Sequence, residues 1–103
     1  MASMNEQERH REEGCFAQVR DVICHLDPED LLAAGAPADE YDREAEIFTL
    51  RIIASEEITP EIARSLWLER FYPDCLLVRK NLEVPLARAL QEICISLADT
   101  DFQ

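Results

Sequence analysis

The scarcity of glycine constrains this fold more than any other feature of the sequence. The 103 residues include only two glycines, Gly14 and Gly35, and no internal repeat. Tight hairpin turns usually need residues at positive φ, so the chain offers few places for a β-hairpin. Its apolar residues instead recur at spacings of three and four, as they do on one face of a helix. The sequence therefore predicts an all-α protein.

Proline and capping residues divide the first half of the chain into two helices of different length. A first helix is predicted over residues 5–26, where apolar residues keep a helical spacing. Asp27 followed by Pro28 then predicts an N-cap and the first position of a short second helix. Gly35 is a plausible end for this short helix, and Pro37 prevents its continuation.

Three longer helices are predicted in the rest of the chain. The first begins at Asp39, with acids in its first turn. The next begins at Thr59 and Pro60, which are again typical of an N-cap followed by proline. The last covers residues 82–97. Residues 73–81 form a loop whose short apolar run is compatible with either an extended or a helical conformation.

These elements predict a small bundle of four main helices plus one short helix. A chain of 103 residues is long enough to bury one hydrophobic core without disulfides. We therefore expect a single domain over residues 1–103, in which residues 1–11, without an apolar stripe, are frayed or disordered.

Acidic residues concentrate between Asp27 and Glu46, a range that we call the acidic segment. It holds eight of the 22 acidic residues and one basic residue, Arg43, and carries most of the net charge of −12. Nucleic acid is not an expected ligand, because phosphate binding requires clusters of Lys and Arg that the chain lacks. A basic partner protein fits this charge through electrostatic complementarity. The alternative is that the charge only keeps the protein soluble.

The run Asp39, Glu40, Tyr41 and Asp42 is the sharpest feature of the acidic segment. Neighbouring carboxylates on a helix repel one another by about 0.2–0.5 kcal/mol per pair, and a cation, a basic partner or the helix N-terminus must offset this cost. With Asp27, these four are candidate binding residues. The alternative is structural: the acids complement the helix dipole, and Tyr41 anchors the helix in the core.

Trp67 is a further candidate binding residue with two interpretations. Arg64 and Arg70 near it in the sequence suit a partly exposed interaction residue. Its direct neighbours Leu66 and Leu68 instead favour packing in the core.

No catalytic residue, metal ligand or cofactor site can be read from the sequence. The cysteines, at positions 15, 24, 75 and 94, form no CxxC pair and lie in apolar or helical patterns, as reduced, buried thiols do. The acidic run does not have the ligand spacing of an EF-hand, and nucleophile-elbow and glycine-rich phosphate motifs are absent. We therefore expect no cofactor, no bound metal and no catalytic residue.

The sequence also predicts a cytoplasmic protein without a membrane partner. No apolar run approaches the roughly 18 residues of a membrane span. The first eleven residues are polar and charged, which is unlike a signal sequence.

At residues 27–28 and 37–41 the sequence resembles the YugE-like family of small bacterial helical domains. The shared pattern is Asp-Pro, a short apolar stretch, and Pro-x-Asp-Glu-Tyr at the start of a long helix; here it spans about twenty residues. The resemblance implies an all-helical cytoplasmic domain with a focus on residues 39–42, and it implies no activity. The sequence departs from the pattern at Glu29 and Asp30, where apolar residues are expected.

Two functions from different classes fit these features. The first is an interaction protein, for example an immunity-like or antitoxin-like protein, that docks a basic partner through the acidic segment. The second is a ligand-binding accessory protein or enzyme that uses Asp39, Glu40 and Tyr41 in a pocket. Docking requires exposed carboxylates, whereas a pocket requires them to point inward. The sequence leaves the oligomeric state open.

Overall fold

The computed structural model describes residues 6–71, 73 and 75–100, and this part of the chain is all-α. Four helices of nine or more residues and one helix of four residues form a small bundle, and no strand occurs among the described residues. This confirms the predicted fold class. In chain order the helices are α1 (Glu6–Leu26), α2 (Asp42–Ile53), α3 (Pro60–Leu68), α4 (Leu76–Arg79) and α5 (Glu83–Thr100).

The first helix begins at Glu6, so residues 6–11 are helical, and residues 1–5 lie outside the described part of the chain. Helices α1 and α2 run antiparallel: Arg20, late in α1, pairs with Asp42 at the start of α2, and Cys24 lies beside Ala38. The core contains apolar side chains from all five helices. Its largest members are Trp67, Tyr41, Phe48, Ile23, Ile52, Leu77, Leu86 and Leu90.

The predicted short helix at residues 28–34 is wrong. This part of the chain forms consecutive turns, while the short helix of the bundle is α4, in the loop whose conformation the sequence left open. The physical reason is that Asp27 and Asp30 adopt positive φ values of 44° and 57°, which break helical geometry on either side of Glu29. Asp27 therefore does not act as a helix N-cap.

The end of these turns agrees with the sequence. Gly35 has a φ of 99°, and its N–H donates to the carbonyl of Leu32 while the N–H of Ala36 donates to that of Leu31. This is the pattern by which glycine ends a helical turn. Ser55 and Asn81 end α2 and α4 in the same left-handed conformation, with φ of 62° and 56°.

Two of the predicted helix starts have the expected structure, and one is displaced. Thr59 is the N-cap of α3: its hydroxyl accepts from the N–H of Ile62 at 3.1 Å, and Pro60 is the first residue of the helix. Pro85 lies in the first turn of α5, where proline is tolerated. Helix α2 begins at Asp42 rather than Asp39, because the three residues before Tyr41 form turns.

Candidate functional site

Asp27 organises the turns that follow α1. Its carboxylate accepts hydrogen bonds from the backbone N–H of Leu32 at 3.1 Å and of Ala33 at 2.9 Å, and from the hydroxyl of Tyr41 at 2.7 Å. Burial acts to raise the pKa of Asp27. The hydrogen bonds from Tyr41, Leu32 and Ala33, helped by the charge of Lys80, outweigh burial and lower the pKa below its ordinary value. The carboxylate is therefore held ionised by internal donors.

Tyr41 is fully buried and completes this arrangement from the start of α2. Its hydroxyl donates to Asp27 and accepts from the backbone N–H of Glu29 at 3.0 Å. Burial, followed by the hydrogen bond to Asp27, raises the pKa of Tyr41 well above its usual range. The structural interpretation of Tyr41 as a buried anchor is therefore confirmed, and the candidate binding residue has no exposed surface to offer a partner.

Glu29 connects the same turns to the opposite side of the molecule. One carboxylate oxygen accepts from the indole N–H of Trp67 at 2.8 Å and from the backbone N–H of Leu77 at 3.0 Å. The other accepts from the N–H of Leu76 at 3.0 Å. Because Leu76 and Leu77 are the first residues of α4, Glu29 supplies the cap that this helix lacks from its own N-cap residue, Cys75.

Trp67 lies in the core and not at a binding surface. It is fully buried, its ring stacks on Phe71 at a centroid distance of 5.0 Å, and it lies 5.9 Å from the ring of Tyr41. The only polar atom of its side chain, the indole nitrogen, donates to Glu29. The core interpretation of Trp67 is therefore confirmed, and the indole has no exposed surface to offer a partner.

Three further acids of the acidic segment are paired with basic side chains. Asp30 pairs with Lys80 on the surface, and half-exposed Asp42 pairs with Arg20 at 2.9 Å. Glu44 is buried and lies 3.8 Å from the guanidinium of Arg70. Asp42 was a candidate binding residue; its carboxylate instead joins α2 to α1.

The remaining acids of the segment, Asp39, Glu40 and Glu46, are exposed. Within the described part of the chain, their carboxylates have no ion pair or hydrogen bond. Glu46 also lines a surface pocket of about 340 Å³ between α1 and α2, together with Glu12, Glu13, Phe16, Thr49 and Arg9. We use the name acidic face for two groups of acids: Asp39 and Glu40 in the turns before α2, and Glu46, Glu12 and Glu13 around this pocket. Sequence reasoning missed the two acids from α1, because they become neighbours of Glu46 only through helix packing.

The described cavities do not bring the candidate residues together as a ligand pocket. Four surface pockets of about 270–360 Å³ are lined by described residues, and Asp39, Glu40 and Tyr41 line none of the four. Asp39 and Glu40 face solvent, whereas Tyr41 points into the core. Among the described residues, no group of three or more His, Cys, Asp or Glu side chains has an arrangement that could hold a metal ion.

The cysteines are free thiols, and burial raises the pKa of Cys15, Cys24 and Cys75 above the ordinary value. A raised pKa disfavours the thiolate that nucleophilic or metal-binding cysteines need. None of the helices described is long and apolar enough to cross a membrane. Comparison of the chain with protein families, with curated proteins and with solved structures finds no match in any of the three.

Proposed function

We propose that this chain is an interaction protein that docks a basic partner protein through the acidic face. The observation that supports this proposal is the division of the acidic residues into two sets. Asp27 and Glu29 are bonded internally, whereas Asp39, Glu40 and Glu46 remain exposed and unpaired within the described part of the chain. Unpaired carboxylates on a fixed surface attract a basic partner from a distance and select it over neutral or acidic proteins.

The shape of the acidic face suits lysine and arginine side chains. Glu40 lies in the turns before α2, and Glu46 lies in the first half of α2. Beyond them the pocket between α1 and α2 offers the ring of Phe16 beside the carboxylates of Glu12 and Glu13. A long basic side chain can rest its apolar stem or its cationic end on an aromatic ring while its charge meets a carboxylate.

Internal hydrogen bonds hold one end of the acidic face in place before any partner arrives. Asp39 and Glu40 lie between Asp27, which fixes the preceding turns, and α2, and Tyr41 joins the two by its 2.7 Å hydrogen bond. A surface that is already ordered loses less conformational entropy on binding, so fewer contacts are needed for the same affinity.

The biological setting that we propose follows from the same features. The free cysteines suit a reducing compartment, so we place the protein in the cytoplasm. Its high negative charge suits an immunity-like or antitoxin-like role, in which a small acidic protein covers the basic surface of a partner. We keep the proposal of YugE-like membership on the sequence pattern, which names no activity.

The test compares two triple variants of equal charge. The first, Asp39→Asn with Glu40→Gln and Glu46→Gln, removes the exposed acids of the acidic segment and leaves the Arg20–Asp42 pair intact. The matched control replaces three exposed acids outside the acidic face: Glu57→Gln, Glu61→Gln and Glu69→Gln. Both variants should keep the helical circular dichroism spectrum of the wild type.

Wild type and both variants are then used to recover partners from the native cell extract at low salt. We expect a basic protein to copurify with the wild type and the control variant and to be lost with the acidic-face variant. Its binding to the wild type should weaken as salt screens the charges. Equal recovery by all three proteins would contradict the proposal, and equal loss from both variants would show that net charge, not this face, attracts the partner.

A further inference from the structure

Helix α5 has one face in the core and a second face without a partner. Leu86, Leu90 and Ile93 are buried, as the inner face of a bundle helix requires. On the outer face Val84 and Ile95 are two of the large apolar residues that the chain exposes, with 50% and 54% of their surface accessible. Exposed apolar side chains on one helix face are typical of an interaction surface when they lie in register.

The outer face has the spacing of a helix-pairing seam. Val84, Arg88, Gln91 and Ile95 follow one another at intervals of four, three and four residues, which is the spacing of the two core positions of a heptad. Val84, Arg88, Gln91 and Ile95 also line a groove of about 360 Å³ between α5 and the segment at Ile58. A hydrogen bond joins the two sides of the groove: the side chain of Gln91 accepts from the N–H of Ile58 at 2.8 Å. We call these four residues, with Glu92, the α5 face.

The α5 face is complementary to itself in one arrangement. Suppose that two α5 helices run antiparallel about a twofold axis midway between Val84 and Ile95. Each Val84 then meets the Ile95 of the second copy, so two equivalent contacts cover all four apolar side chains. The same axis places Arg88 opposite Gln91 of the second copy and one residue from its Glu92. Within the described part of the chain neither Arg88 nor Glu92 has an ion pair, so both charges are available to the second copy. A twofold contact satisfies each of these pairs twice.

We propose that the α5 face is a homodimer interface in which two copies pair their α5 helices antiparallel. The seam from Val84 to Ile95 is about 17 Å long at the rise of an α-helix, so the interface is small. Each copy carries a net charge of −12, and the resulting repulsion opposes association. The dimer is therefore weak, and added salt strengthens it by screening the overall repulsion.

The test is sedimentation equilibrium of the full chain from about 20 μM to about 1 mM, in about 0.1 M and about 0.5 M salt. The wild type should move from 11.8 kDa toward twice this mass with rising concentration, more readily in high salt. Ile95→Ser, at an exposed position, should lower the association constant about tenfold or more. A wild type that stays monomeric in both buffers overturns the proposal and leaves the α5 face to a different protein.

A charge exchange tests the arrangement itself. Arg88→Glu and Glu92→Arg should each weaken the dimer, because each places like charges together across the twofold axis. The double variant Arg88→Glu with Glu92→Arg restores opposite charges at both places and should recover the association constant of the wild type. Failure of the double variant to recover it would overturn the antiparallel arrangement, provided that circular dichroism shows a folded chain. These substitutions leave the acidic face unchanged, so the two proposals succeed or fail separately.

Discussion

Glu29 is the residue whose removal should reveal most about how this fold is held together. Glu29→Ala deletes the acceptor of three hydrogen bonds, from the indole of Trp67 and from the N–H groups of Leu76 and Leu77. Trp67 and Leu77 are fully buried, so water cannot easily replace the lost acceptor at these two donors. Helix α4 also loses its only described side-chain cap.

The magnitude follows from the cost of these donors. A hydrogen bond to a charged group contributes about 1.5–3 kcal/mol, and a buried donor left without a partner costs about 1–3 kcal/mol. Because Glu29 is half-exposed, some water reaches the vacated space, and the three contributions do not add fully. We expect a loss of about 3–5 kcal/mol from the free energy of unfolding, against a total of about 5–15 kcal/mol for a domain of this size.

Urea denaturation followed by two signals measures this loss. Circular dichroism reports on the helices, and fluorescence reports on Trp67, which is the only tryptophan in the chain and donates directly to Glu29. The midpoint for Glu29→Ala should fall while the slope of the transition stays that of the wild type. Fluorescence should also show a changed indole environment in the folded state.

Two variants serve as controls for this prediction. Glu29→Gln keeps the size of the side chain but places an N–H group opposite one of the donors. Its free energy of unfolding should therefore lie between those of the wild type and Glu29→Ala. Asp30→Asn removes the neighbouring charge and its surface pair with Lys80, and it keeps a residue type that tolerates positive φ. It should cost less than about 1 kcal/mol. If Glu29→Ala lowers the midpoint no more than Asp30→Asn does, the three hydrogen bonds do not stabilise the fold.

Three further predictions test other parts of the fold. Because the fold lowers the pKa of Asp27, its stabilisation is complete above the ordinary value of about 3.9 and is lost as the pH falls through the folded value. Asp27→Asn should therefore lower stability at neutral pH, and its urea midpoint should fall less steeply than that of the wild type as the pH is lowered. An equally steep fall in the variant would contradict this prediction. Tyr41→Ala should cost about 3–5 kcal/mol, and an unchanged denaturation midpoint would mean that the ring is not in the core. Ser55→Gly should raise the melting temperature, because an exposed serine at a φ of 62° costs about 1–2 kcal/mol, whereas Ser65→Gly inside α3 should lower it.

The parts of the fold that the sequence predicts are those decided by neighbouring residues. Thr59 and Pro60 begin α3 as expected, because a cap and its proline act within one helical turn. Gly35 ends its turn as expected for the same reason. The buried position of Tyr41 follows from the helical spacing that it shares with Phe48 and Ile52, although α2 itself begins one residue after Tyr41.

The parts that the sequence does not predict depend on residues far apart in the chain. Asp27 and Tyr41 are separated by 14 positions, and Glu29 and Trp67 by 38. These contacts hold residues 28–34 in turns, where Asp27 and Pro28 alone indicate a helix. The acids of α1 that border Glu46 are hidden in the same way, since only the packing of α1 on α2 brings them beside it.

The buried aromatic residues nevertheless offer a rule by which some inward acids can be recognised. A buried indole N–H or phenol O–H needs an acceptor, and the acids of the acidic segment supply it for both Trp67 and Tyr41. Glu29 is the acceptor for Trp67, and Asp27 is the acceptor for Tyr41. The consequence for function is that the formal charge of the acidic segment overstates what a partner meets. Five of its eight acids are bonded or paired within the chain, so the proposed docking function rests on the three that remain and on the two acids of α1 near Glu46.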